Sequence, residues 1–259
     1  MTLTIIICLL IPLLGTTLGS FMVFFLKKEI NVSLQKVLMG FASGVMFAAA
    51  IWSLLQPAIN ESAKRGNIQM WLIPAIGFLL GIAFSLMLDY FIPHVHFQSG
   101  EDGIKTAKLS KTFKMLLAVT LHNIPEGLAC GVVIAGAMNN SFNPQAMIIL
   151  AIGIAIQNFP EGAIVSMPLK EQGISKGKAF FYGFVSGVVE PVAALLAILV
   201  TAFISAILPY TLAFAAAVMI FVVVEDLIPE FSGTEHSNLA TIGLAIGFVL
   251  MMILDIALG

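Results

Sequence analysis

The chain has 259 residues, of which 59% are hydrophobic and 10% charged, against about 25% charged in an ordinary soluble domain. With a mean hydropathy of +1.05, it carries more apolar surface than a packed soluble core can use, which excludes a water-soluble domain and predicts lipid as the solvent. A net charge of −2 gives no basis for a nucleic-acid partner, and Cys8 and Cys130 sit in apolar runs without metal or redox spacing.

A membrane helix needs about 20 predominantly apolar residues. Eight runs qualify, at about 3–26, 37–59, 70–92, 113–137, 146–168, 179–206, 208–228 and 238–258. The chain is therefore expected to be an all-α membrane protein with a single domain over 1–259. The first run lacks a basic segment before it, and Lys27 and Lys28 follow it, so a retained span is expected rather than a cleaved leader. The second run carries Met46, either a core residue or a thioether facing a site. Glu61 follows near the end of that run, and Asp89 falls near the end of the third. The longest connection, about 93–112, holds His94, His96, Glu101 and Asp102.

The fourth run contains HNIPEG, beginning at His122, and the fifth contains QNFPEG, beginning at Gln157. The sixth carries Glu190 and Pro191 in SGVVEP. Glu225 and Asp226 lie toward the end of the seventh, with Glu230 and His236 beyond them, and Asp255 lies toward the end of the eighth.

Orientation follows from lysine and arginine in the connections. Lys27, Lys28, Lys36, Lys105, Lys108, Lys111, Lys114, Lys170, Lys176 and Lys178 fall on one side, and only Lys64 and Arg65 on the other. The side rich in lysine is expected to be cytoplasmic and both termini extracytoplasmic. On that assignment Asp89, His94, His96, Glu225, Asp226 and His236 belong to the cytoplasmic side, as an exit route for a cation or as a solvated rim. Glu61 and Asp255 belong near the outer face.

Glu126, Glu161 and Glu190 fall in mid-span. An ionisable group at the bilayer centre costs about 2.5–3.5 kcal/mol even on insertion scales. With no basic residue at that depth, the glutamates imply either a cation that is not part of the chain or protonated carboxyls. His122 and Glu126 are one helical turn apart, as are Gln157 and Glu161, so each pair shares a helix face. Pro125 frees the carbonyl of Leu121 and Pro160 that of Ile156, and such breaks are tolerated in lipid only inside protein or along a cavity. Consecutive spans run antiparallel, so the two hexapeptides can meet near mid-membrane, a pattern that points to a transporter site. Imidazole with carboxylates suits a divalent transition metal, and a set without thiolate disfavours a soft-metal cage.

HNIPEG, QNFPEG with MPLKEQGISKGKAF after it, and SGVVEP together resemble the ZIP (Zrt/Irt-like) metal transporters, in particular their bacterial GufA-like branch. The resemblance covers the whole chain. It implies uptake of divalent cations toward the cytoplasm, with Zn, Fe, Mn or Cd as cargo, across the cell (inner or plasma) membrane, by a homodimer that is not an enzyme. It implies a fold of three, two and three spans with an inverted repeat, and an elevator-like motion of spans 1, 4, 5 and 6. Carried over residue by residue, one ion is held by His122, Glu126, Gln157, Glu161 and Glu190, with Met46 as an added ligand. A second is held by Asn123, Glu126, Asn158, Glu161 and Glu190. Asn158 stands where the branch often has aspartate, which withdraws a charge from the second ion and leaves one or two ions open.

Two other classes would use the same residues. An intramembrane metallohydrolase would activate a water on the metal, but H-E-x-x-H is absent. A carrier of organic cations would place aromatic residues beside the glutamates, whereas here the neighbours are small: Gly127, Ala129, Gly131, Gly162 and Ala163. A histidine ligand must be neutral, so metal affinity is expected to fall as the pH is lowered; zinc titrations across a pH series check this.

Overall fold

The computed structural model describes residues 2–25, 31–91, 94–96, 100–102, 111–141, 143–203, 205–229 and 238–258. For 90–91, 94–96, 100–102, 111–115, 117–119, 202–203 and 205 the description is of the backbone alone. Among the described residues, eight helices are long and apolar enough to cross a membrane. They are α1 (Thr2–Phe21), α2 (Val32–Ala63), α3 (Asn67–Phe91), α4 (Lys111–Met138), α5 (Pro144–Glu171), α6 (Lys176–Phe203), α7 (Leu208–Leu227) and α8 (Leu239–Leu258). Eight crossings leave both termini on the same side of the bilayer.

α2 runs beyond its apolar stretch at both ends. Its start is fixed by Asn31, whose side chain accepts from the Ser33 N–H. At its other end a polar turn continues to Gly66, whose φ of +138° suits glycine. α5 opens on Asn143, which accepts from the Gln145 N–H with Pro144 in the first turn, and closes before Gly173 at φ +87°. Within the connection between α3 and α4, His94–His96 pairs antiparallel with Gly100–Asp102. Three-residue strands have too little periodicity to be read from sequence, and this hairpin is the departure from an otherwise helical fold.

The helices pack in four close pairs: α1 with α5, α4 with α6, α2 with α8, and α3 with α7. Exchanging α1 with α6, α2 with α7, α3 with α8 and α4 with α5 turns this set into itself. That is the signature of an inverted repeat of α1–α3 and α6–α8 around α4 and α5. Two local features obey the same exchange. α2 widens into a π segment at Ala50–Leu55 and α7 into one at Val223–Leu227. Pro125 of α4 and Pro160 of α5 stand at the same place in the two hexapeptides, whereas Pro74 of α3 has no counterpart in α8.

Close approach rests on glycines one turn apart. A Cβ at Gly127 would overlap the Glu190 carbonyl, and one at Gly131 the Ala194 carbonyl, so α4 and α6 touch backbone to backbone. Gly15 and Gly19 serve α1 in the same way, Gly40 and Gly44 α2, and Gly77 and Gly81 α3. In lipid, where apolar surface gains little from leaving the solvent, such contact is a main source of helix association. α4 is the most enclosed span, and α3 and α8 present the most surface to lipid. Gly44→Val would press a branched side chain into the Leu244 carbonyl on α8. A loss of about 1–3 kcal/mol is expected, read as a lower melting temperature of the purified protein.

Candidate metal site

HNIPEG lies within α4, and QNFPEG within α5, the helices at the centre of the repeat. Glu126, Gln157, Asn158 and Glu190 are each at most 1% exposed. The Gln157 side chain donates to Glu126 Oε1 at 2.7 Å. Asn158 donates to Glu190 Oε2 at 2.8 Å, and Thr16 of α1 donates to Glu190 Oε1, also at 2.8 Å. Glu161 and Glu190 are electrostatic neighbours of Glu126, and His122 is one of Glu161.

Consecutive amides of α5 thus each hold a carboxylate from a different helix. The donors of these amides are used, but the acceptors are not. Glu126 Oε2, Gln157 Oε1 and Asn158 Oδ1 are buried and have no hydrogen-bond partner. A buried acceptor left unsatisfied costs about 1–3 kcal/mol. Such a group of acceptors without donors is a place for a cation. Among the described residues, no three His, Cys, Asp or Glu side chains converge on a point that could hold an ion by themselves.

The asparagines of the two hexapeptides occupy corresponding places. Asn123 donates to the Ser186 carbonyl of α6 at 2.9 Å, and Asn158 reaches the Pro12 carbonyl of α1 at 3.4 Å. Each lies beside the glycine that admits the same neighbour: Gly127 against Glu190 on α6, and Gly162 against Thr16 on α1.

His122 neighbours Glu161 and also reaches α7. Its Nε2 lies 3.0 Å from Asp226 Oδ2 on the π segment of α7. His122, Asp226, Asp89, Ser85 and Phe84 line a cavity between α3, α4 and α7. The structure therefore places His122 against Asp226 and in one cavity with Asp89, two acids read from sequence as an exit route or a solvated rim. Glu225 is exposed, and Met46 is buried in the main apolar core. His236 and the side chains of His94 and His96 lie outside the described residues.

At the opposite end, Asp255 Oδ1 accepts from Ser53 on the π segment of α2 at 2.6 Å, and its Oδ2 is buried without a partner. Asp255 is thus drawn between helices rather than spread on the surface, whereas Glu61 pairs with Lys64. Sequence reasoning missed Thr16 and Ser53. An isolated hydroxyl in an apolar span carries no signal of the helix it will reach.

A family model described as ZIP zinc transporter matches residues 104–255. The chain is 36% identical to zinc transporter ZIPB of Bordetella bronchiseptica, over 95% of this chain and 78% of that one. It is 34% identical to zinc transporter ZIP11 of Xenopus tropicalis, over 94% of each. It is also 36% identical to zinc transporter GufA of Myxococcus xanthus, over 80% of this chain and 81% of that one.

Gln157→Leu would strip the donor from Glu126 Oε1 inside the protein. A loss of about 1–3 kcal/mol in stability is expected, measured as the shift in thermal unfolding of the purified protein.

Proposed function

Because this chain belongs to the ZIP zinc-transporter family, we propose that it carries divalent transition-metal cations, zinc foremost, through a mid-membrane site toward the cytoplasm. The carrying observation is the set of buried acceptors without donors that α4 and α5 contribute: Glu126 Oε2, Gln157 Oε1 and Asn158 Oδ1. A cation satisfies all of them, and Glu161 and Glu190 supply the balancing charge. The ion of the first site is held by His122, Glu126, Gln157, Glu161 and Glu190, with Met46 at its edge. A second place, sharing the glutamates through Asn123 and Asn158, is the weaker one and stays empty at low metal, because Asn158 brings no charge to it. The cargo exchanges water for these ligands, so ions that shed water readily are favoured over Mg²⁺.

His122 has two uses in this reading. It is a ligand of the central ion, and its pairing with Asp226 leads the ion toward the cavity that Asp89 also lines. Access from the outer side runs past Glu61 and Asp255. α1, α4, α5 and α6 move together against α2, α3, α7 and α8, which is supported by the close pairs of helices all falling within one group or the other. The protein works as a homodimer in the cell membrane, and as a transporter rather than an enzyme.

The test is uptake of radioactive zinc into liposomes carrying the purified protein. Glu126→Ala and Glu161→Ala are expected to reduce uptake to the level of empty liposomes; unchanged uptake and affinity would remove the site. Asn158→Asp restores a charge to the second shell and is expected to raise bound zinc from one ion per chain to two, counted by elemental analysis of the protein.

A further inference from the structure

We propose that Thr16 on α1 is a positioning residue of the metal site, its hydroxyl setting the carboxylate of Glu190 for the ion. This rests on the reading of Glu190 as a ligand. Thr16 is 2% exposed and Glu190 1%, and the Thr16 Oγ1 to Glu190 Oε1 distance is 2.8 Å. A hydroxyl inside a membrane helix ordinarily returns to the carbonyl four residues earlier. Thr17, Thr120, Ser43 and Ser166 do this. Thr16 instead reaches across to α6, and the carbonyl it would have used, that of Pro12, is approached by Asn158.

Its methyl group explains the direction. A Cβ placed on Gly187 of α6 would lie 2.9 Å from Thr16 Cβ and 3.1 Å from its Cγ2. Gly187 precedes Glu190 by about one helical turn. The bare backbone there seats the threonine and aims its oxygen at the carboxylate. Asn158 holds the other oxygen of Glu190. With one donor on each, the carboxylate is fixed in orientation, and each oxygen keeps a lone pair for an ion.

The repeat places this contact on its axis. Gly127 admits Glu190 as Gly162 admits Thr16, and the asparagines reach Ser186 and Pro12, each four residues before those two. Thr16 is therefore the first-repeat counterpart of Glu190. Two residues related by the exchange touch each other, one supplying the carboxylate and the other its donor. Hydrogen-bond partners of ligating groups set ligand orientation, and their removal commonly costs 10–100-fold in metal affinity.

The test compares Thr16→Val, which keeps the shape and loses the donor, with Thr16→Ser, which keeps the donor and loses the methyl. Zinc binding is measured by calorimetry on purified protein, and zinc uptake in liposomes. Thr16→Val is expected to raise the zinc Kd by about 10–100-fold and the uptake KM with it, with little change in maximal rate, while Thr16→Ser, which keeps the donor and loses only the seating of the methyl on Gly187, is expected to lose less than either donorless variant. Thr16→Ala, which adds no bulk, is read alongside, so that a folding defect peculiar to valine does not decide the outcome. Wild-type affinity in both Thr16→Val and Thr16→Ala, or a defect confined to Thr16→Ser, would assign Thr16 to packing on Gly187 and overturn the proposal. Glu190→Ala separates the two levels. If it abolishes binding while the donorless variants bind normally, only the positioning role fails. If it binds zinc normally, the reading of Glu190 as a ligand fails and takes the proposal with it.

Discussion

Three carboxylates share the middle of this protein, and all twelve lysines and arginines lie in connections or at span ends. In lipid a carboxylate must find donors, a proton or a cation, because no water is there to solvate it. Much of the interior answers to this constraint. Gln157, Asn158 and Thr16 each spend their donor on Glu126 or Glu190. They come from α5 and α1, while the carboxylates come from α4 and α6, so holding the acids also ties four helices together. The donors meet only part of the demand, and Glu126 Oε2, Gln157 Oε1 and Asn158 Oδ1 are left over, the acceptors on which the proposed ion site rests.

Bringing four helices close enough for such short side chains to meet requires thin backbones. The glycines of α1 and α4 let the carbonyls of α5 and α6 approach to contact. The prolines loosen the same helices at their centres. One carbonyl freed in this way, that of Cys8, four residues before Pro12, accepts from the Cys130 thiol. The inverted repeat gives two ends of similar design. A π segment meets an acid at each: α2 with Asp255 through Ser53, and α7 with its own Asp226 facing His122.

Much of this is legible in sequence because lipid enforces simple rules. The eight spans could be counted from apolar length alone. Their ends were less legible where polar residues continue a helix, as Gln35 and Lys36 do at the start of α2. The duplicated hexapeptides identified the helices that carry the buried amides and Glu126, since glutamate and proline at a kept spacing have no reason to recur in an apolar run. The direction of each side chain was not legible. Nothing in the pattern says that the amide nitrogen of Asn123 is given to the Ser186 carbonyl. His122 reads as facing Glu126 by its spacing, yet it pairs with Asp226 on a helix about a hundred residues further on.

Composition and pattern by themselves determined that this chain lives in lipid, how many times it crosses, which helices carry the acids and which chemical class of cargo those acids suit. These are properties of single segments, and hydrophobicity and helical period are written locally. Only the tertiary structure decided who holds whom: that Thr16 and Asn158 share the two oxygens of Glu190, that Gln157 serves Glu126, and that Ser53 serves Asp255. Those choices depend on which helices lie side by side and at what rotation. They are set by glycine contacts between segments far apart in the chain, so no single segment contains them.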